Sequence, residues 1–182
     1  QDKLFANLAF FDLTRTNVLT TDPDNSLFQI QTGEQRSRGI ELDVQGEILP
    51  GWNVIASYAL TDAEITEDEV FEAGNALFNV PRHSGSLWTT YELQQGSLEG
   101  LGFGLGLFFT GEREGDLNNT FDLSSYIRSD ALVYYQRARF RAQLNVQNLF
   151  DIDFFEASRG GNELEIVPGQ PLTVSAQVSW QF

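Results

Sequence analysis

The sequence predicts an all-β chain, an antiparallel up-and-down transmembrane β-barrel segment of about eight strands. Three observations carry this expectation. Apolar and polar residues alternate with a period of two, as in Leu172, Val174, Ala176, Val178, Trp180 and Phe182 against Thr173, Ser175, Gln177, Ser179 and Gln181. Short and long connections roughly alternate, as expected of tight turns on one side of a membrane and longer loops on the other. Aromatic residues gather near strand ends, at Trp52, Tyr91, Tyr134, Tyr135, Trp180 and Phe182, where amphipathic rings suit a headgroup girdle.

In chain order the strands are expected over 3–18, 27–48, 52–66, 80–94, 101–113, 121–136, 139–151 and 171–182. Ile40, Leu42, Val44 and Ile48 alternate with Glu41, Asp43, Gln45 and Glu47 in the second. Trp52, Val54, Ala56, Tyr58 and Leu60 form one side of the third. Phe140, Ala142, Leu144 and Val146 do the same in the seventh. Glycines at 33, 39, 102, 104 and 106 fall inside strands and point to bends or close packing in a curved sheet. Leu49-Pro50-Gly51 and Arg137-Ala138 make tight turns, whereas 67–79, 114–120 and 152–170 are longer and polar.

Composition narrows the function classes. The 182 residues include 11 Lys or Arg and 26 Asp or Glu, a net charge of −15, which argues against nucleic acid as a partner. No cysteine is present, so disulfide scaffolds and thiolate metal sites are excluded, and a single histidine, His83, excludes a multi-histidine centre. The longest nearly apolar stretch, Leu101 to Phe109, is too short for a membrane helix of about 20 residues. The chain opens at Gln1 directly into a strand-like pattern with no basic, apolar leader, and is expected to be a fragment or processed piece.

Alternation does not itself say whether the apolar face meets lipid or a core. Long strands, the aromatic strand ends and an acidic, moderately hydrophobic composition favour lipid. A soluble β-sandwich binding module with one solvated face per sheet is the alternative. A free-standing eight-stranded outer-membrane protein with a structural or adhesive role is another, since eight strands can close alone.

Several segments, in order, carry a family resemblance. They are Phe11-Asp12-Leu13-Thr14-Arg15-Thr16-Asn17-Val18, then Gln31-Thr32-Gly33-Glu34-Gln35-Arg36-Ser37-Arg38-Gly39-Ile40-Glu41-Leu42, then Pro50-Gly51-Trp52 and Asn79-Val80-Pro81-Arg82-His83-Ser84. Asn145-Val146-Gln147-Asn148-Leu149-Phe150-Asp151 and Gly169-Gln170-Pro171 complete them. The chain resembles the C-terminal part of TonB-dependent outer-membrane receptors, closest to the ferric-siderophore (ferrichrome-type) branch, with Leu172 where the family usually has Arg. The resemblance implies one C-terminal portion, 1–182, of a 22-stranded barrel whose plug domain is absent from this chain. It implies TonB-driven uptake of ferric siderophores, an outer-membrane multi-pass location, and contact with outer-membrane lipid, the TonB complex (through the plug) and the barrel-assembly machinery. The chain is then wall and loops, with no catalytic residue, no resident metal and no cofactor.

Candidate sites follow from position. Arg113, Tyr126, Phe154, Phe155 and Arg159 lie near the long-loop ends, where aromatic and arginine groups suit an iron chelate. Val178, Trp180 and Phe182 form the terminal alternating strand, which the resemblance makes a barrel-assembly signal. Arg36, Arg38, Arg128, Arg139 and Arg141 are expected on the lumen side, paired with carboxylates such as Glu41 and Asp130. The acidic run Asp62, Glu64, Glu67, Asp68, Glu69 and Glu72 reads as a solvated loop, with a divalent-cation site as the sharper alternative. Gly102-Phe103-Gly104-Leu105-Gly106 lies in a strand and lacks the helix that a phosphate-binding turn needs. His83 lacks a nearby Ser–Asp partner set and is given a structural or rim role.

Overall fold

The computed structural model describes residues 4–22, 24, 25, 27–159, 161 and 163–182, with Thr32 by its backbone alone. Lys3, where the first strand was expected to begin, lies outside the described residues. In chain order the strands are β1 (Leu4–Thr21), β2 (Gln29–Leu49), β3 (Trp52–Glu67), β4 (His83–Glu92), β5 (Leu101–Thr110), β6 (Arg113–Glu114), β7 (Asp122–Leu123), β8 (Tyr126–Arg137), β9 (Phe140–Gln147), β10 (Phe155–Ser158), β11 (Ile166–Pro168) and β12 (Thr173–Trp180). One 3-10 turn, Glu163–Glu165, precedes β11.

The eight long strands form one antiparallel meander, β1-β2-β3-β4-β5-β8-β9-β12. Among the described residues no pairing joins β1 to β12, so the sheet is open at both edges and no second sheet packs on its face. The short pairs β6–β7 and β10–β11 are hairpins within the long connections. They were not expected, being two to four residues long and without alternation.

Register turns the alternation of each strand into faces shared by the whole sheet. Leu4, Gly46, Val54, Thr89, Leu105, Ala131, Val146 and Val174 are successive cross-strand partners, a row that crosses all eight strands on the apolar face. One residue further along each of six strands, Phe5, Gln45, Ile55, Trp88, Gly106 and Asp130 form a row on the other face. Among the described residues nothing covers the apolar side: Phe10 is 72 % and Val178 70 % exposed. Buried apolar residues are few, Ala63, Ile65, Leu123 and Phe154, and all sit toward the looped end.

On β3 the apolar band runs from Trp52 to Leu60. Its eight residue steps span about 26 Å along the strand at about 3.3 Å each. A tilt of about 40° leaves roughly 20 Å, close to the apolar band of about 25 Å on membrane barrels. Trp52, Tyr91, Tyr135 and Trp180 stand on this face near the turn end, with the Trp180 ring 6.2 Å from that of Phe140. Tyr134 departs from the expected girdle: it pairs with Gly102 on the polar face, bonds Glu92 at 3.0 Å and lies under Arg141.

The in-strand glycines make room for rings. A Cβ at Gly102 would overlap the Tyr134 ring and one at Gly106 the Trp88 ring. The glycine run of β5 is therefore a bed for aromatic side chains on the polar face.

Two arginines correct the lumen expectation. Arg36 and Arg38 share the parity of Ile40 and Leu42, so they stand on the apolar face, beyond the band toward the looped end. Arg36 Nε donates to Asp12 Oδ1 at 2.8 Å, and Arg38 donates to Asp62 at 2.7 and 3.0 Å. The strands continue past the band, and alternation alone does not mark where the band stops. Arg128 and Arg141 do lie on the polar face: Arg128 bonds Asp130 at 3.1 Å and covers the Phe108 ring, and Arg141 bonds Gln143 and Gln136. Arg139 sits in the turn between β8 and β9, where its carbonyl accepts from Gln181 N.

Candidate functional site

The long connections fold onto one another at one end of the sheet and form a cap, built largely by asparagine. Asn79, Asn119 and Asn148 have positive φ (61°, 53° and 51°), a conformation that a short polar side chain tolerates. Each uses its amide to hold another stretch of loop. Asn79 donates to Ser158 O at 2.9 Å and accepts from Ser158 N at 2.9 Å, joining the β3–β4 connection to the β10–β11 hairpin across 79 positions of sequence. Asn119 accepts from Ala76 N and donates to Ala76 O and Asp116 O. Asn148, 1 % exposed, donates to Ile152 O and Gln170 O and accepts from Ile152 N, while its own N–H donates to Asp130. This turn ends β9 at Gln147, short of the expected 151. Asp151 then accepts from Leu172 N and returns the chain to β12.

Of the ligand candidates, the fold brings three together. Arg113 is 4 % exposed, and its Nη2 donates to the carbonyls of Phe155 and Glu156 at 2.6 and 2.8 Å. Its guanidinium carbon lies 5.7 Å from the Tyr126 ring centre, and that ring lies 4.3 Å from the ring of buried Phe154. Within the chain these three pin the β10–β11 hairpin to the cap floor. Phe155 and Arg159 remain exposed on the hairpin, with Arg159 N bonded to Glu165 O at 2.9 Å. Ser158 Oγ donates to Gly115 O beneath them. The asparagines were missed as site residues. Their signal in the sequence is the Asn-rich turn segments, Asn79-Val80-Pro81 and Asn145-Val146-Gln147-Asn148.

The β6–β7 hairpin carries an electrostatic load. Glu114 faces Asp122 across the pair, and one carboxylate oxygen of Glu114 is buried without a hydrogen-bond partner among the described residues. Burial first, then the charge and hydrogen bond of Asp122, with Asp116 and Glu112 adding, raise the Glu114 carboxyl above its ordinary 4.5. A raised acid favours the folded hairpin while it is protonated, and that contribution is lost as pH rises through the raised value. Hydrogen-exchange protection of 112–123 is therefore expected to fall as pH increases above the ordinary 4.5 and through the raised value, and Glu114→Gln to flatten the dependence. Protection that rises with pH would contradict this assignment.

The acidic run is dispersed. Asp68 accepts from Thr20 Oγ1 and caps the N–H groups of Val70 and Phe71, Asp62 holds Arg38, and Glu67 pairs across from Glu34. Among the described residues no group of three or more His, Cys, Asp or Glu stands together to hold a metal ion. His83 Nδ1 lies 2.8 Å from the Tyr58 hydroxyl at the looped edge of the apolar band, which is a rim position.

The polar face offers an open cleft of about 470 Å³ lined by Glu41, Asp43, Ser57, Ser84, Ser86 and Phe108, among others. The side chains of Glu41 and Asp43 make no hydrogen bond or ion pair with any other described residue. Val178 and Trp180 stand on the apolar face, and Phe182 follows β12 fully exposed.

The chain matches the family described as TonB dependent receptor-like, beta-barrel over residues 1–149. It is 40 % identical over 182 residues to the metal-pseudopaline receptor CntO of Pseudomonas aeruginosa, covering 99 % of this chain and 25 % of that protein. It is 41 % identical over 151 residues to the ferrichrome outer membrane transporter/phage receptor of Escherichia coli, covering 80 % of this chain and 20 % of the other. The structure of the siderophore receptor PiuA from Acinetobacter baumannii superposes with a TM-score of 0.82 at 28 % identity, over 98 % of this chain and 26 % of that one. The chain thus spans about a fifth to a quarter of the length of these relatives, whose names are those of receptors and a transporter. An open meander with one continuous apolar face, matched over nearly its whole length to receptor barrels, is a piece of barrel wall: the chain belongs to the TonB-dependent receptor β-barrel family.

Proposed function

We propose that this chain is the C-terminal wall and part of the outer cap of a Gram-negative outer-membrane receptor that takes up ferric siderophores under TonB drive. The observation that carries the reading is the open, two-faced sheet. In hydrocarbon every backbone N–H and C=O needs a protein partner. The unpaired edges of β1 and β12 therefore call for further strands, in line with a 22-stranded barrel and against an eight-stranded barrel closed on itself. The apolar face lies against lipid, and the polar face lines a lumen wide enough at that strand number to hold a plug. The side chains of Glu41 and Asp43, without partners among the described residues, are suited to meet basic groups of such a plug.

In this reading the cap forms part of the outer vestibule. Phe155 and Arg159 are the candidates to touch the chelate, by stacking and charge. Arg113, Tyr126 and Phe154 act from beneath by fixing the hairpin that presents them. Val178, Trp180 and Phe182 at the turn end supply the alternating apolar pattern that barrel-assembly machinery would recognise. The relatives' names include both a metal-pseudopaline and a ferrichrome receptor, so the chelate is assigned by class: a metal-loaded small-molecule chelator.

The test is uptake by iron-limited cells that express the full-length receptor containing this segment, with radioiron-loaded chelators as probes, ferrichrome among them. Accumulation is expected for at least one chelate, is expected to vanish without TonB, and is expected to weaken on Arg159→Ala. Transport that persists without TonB would contradict the reading.

A further inference from the structure

The outer wall carries a feature that the uptake reading does not use. Asp12, Arg38 and Asp62 are direct cross-strand partners on β1, β2 and β3. Their row lies immediately above the row Phe10, Ile40 and Leu60, on the same face. A cleft of about 460 Å³ takes in both rows and Arg82, so its floor is apolar and its roof is charged. A second cleft, of about 710 Å³, continues from it through Asp62, Arg82, His83 and Tyr58. A side chain of this parity points away from the lumen, and one step beyond the band it stands at headgroup level.

The donors are held but not exhausted. Arg38 uses Nε and Nη2 on the same oxygen of Asp62, which leaves Nη1 directed elsewhere. The Arg82 side chain is exposed and has no hydrogen bond or ion pair among the described residues. Asp12 holds Arg36 on the neighbouring rung with both of its carboxylate oxygens. Carboxylates thus hold two guanidinium groups in place at the membrane boundary, and a third stands open between the two clefts. Guanidinium is the side-chain group best matched to phosphate oxygens.

We infer that this wall is a lipid-binding site, in which Arg38 and Arg82 hold the phosphate of an outer-leaflet lipid headgroup while its acyl chains lie on Phe10, Ile40 and Leu60. The inference rests on the transmembrane reading but not on the chelate or on TonB.

The experiment uses the full-length receptor in phosphatidylcholine vesicles, with trace spin-labelled phosphatidic acid or spin-labelled phosphatidylcholine, and reads the motion-restricted lipid fraction. Wild type is expected to prefer the phosphatidic acid about threefold, and Arg82→Gln to remove most of that preference. Arg82→Gln leaves no carboxylate unpaired, so the barrel folds, as heat-modifiable gel mobility would verify. Arg82→Lys is expected to keep part of the preference, and the lumen variant Arg128→Gln all of it. Millimolar inorganic phosphate is expected to leave the lipid bound, because it cannot occupy the apolar floor. An undiminished preference in both Arg82→Gln and the double variant R38Q/R82Q would overturn the site, and so would displacement by phosphate alone. A receptor with no restricted lipid at all would instead overturn the transmembrane reading.

Discussion

Replacing Asn148 by alanine is expected to release the cap from the sheet. The change removes three side-chain hydrogen bonds, two donated to Ile152 O and Gln170 O and one accepted from Ile152 N. Each is worth about 1 kcal/mol, and more where a buried partner is left unsatisfied. Alanine also meets a cost of about 1 kcal/mol in the left-handed conformation that Asn148 adopts at φ 51°. Together roughly 3–4 kcal/mol of local stability is at stake, enough to lower hydrogen-exchange protection of 148–158 by two orders of magnitude or more. Asn148→Gly separates the two causes, because glycine adopts the same φ freely but makes none of the bonds; it is expected to recover about 1 kcal/mol of the loss. The measurement belongs in the full-length receptor, and unchanged protection in Asn148→Ala would show that the turn is held by something else.

Gly39→Ala is expected to be nearly as damaging, for a different reason. Gly39 lies where the Phe11 ring crosses β2, and a Cβ there would overlap both that ring and the carbonyl oxygen of Leu60 on β3. A ring can rotate, but a ladder carbonyl cannot move without opening the β2–β3 pairing. Overpacking typically costs about 1–3 kcal/mol, and a backbone obstacle puts this site at or above the top of that range. The readout is the fraction of receptor that reaches the heat-modifiable, folded form in the outer membrane, expected to fall sharply. Gly104→Ala is the comparison: its nearest neighbours, Leu132 Cβ, Thr90 Cγ2 and Trp88 Cζ2, stand at 3.2 Å, a tight contact that needs only a few tenths of an ångström of give rather than an overlap with a backbone carbonyl. Equal assembly of both variants would contradict the argument.

Much of the wall was legible because side-chain direction in a strand has a period of two, so Leu172 to Phe182 or Trp52 to Leu60 declare a two-faced strand without any tertiary information. The glycine run of β5 was legible as close packing. What it packs against was not, because Tyr134 and Trp88 come from neighbouring strands whose register is set across the sheet. Arg36 and Arg38 show the limit most clearly. Their parity was readable, yet a rule that charges avoid the lipid side moved them to the lumen. The strands outrun the membrane, so the same face is apolar at Ile40 and charged two residues earlier.

The candidate site was legible only as a neighbourhood. Arg113, Tyr126 and Phe154 do converge, but the Arg113 guanidinium is turned onto loop carbonyls, and the sequence holds no sign of which acceptor an arginine will choose. Asn79, Asn119 and Asn148 stand in turn segments that the sequence shows, but their roles there were not legible, for a related reason. Each acts through a backbone conformation and through partners up to 79 positions away, and neither leaves a periodic trace.

The central claim is that the apolar face of this sheet touches lipid. It is tested most directly by single cysteines, each in the full-length receptor and each spin-labelled, at Leu105 and Val174 on the apolar face and at Ser86 and Gln143 on the polar face. Labels at 105 and 174 are expected to collide mainly with oxygen dissolved in the bilayer, and those at 86 and 143 mainly with a water-soluble nickel complex or with neither. Labels at 105 and 174 shielded from oxygen and packed against protein, as between two stacked sheets, would contradict it.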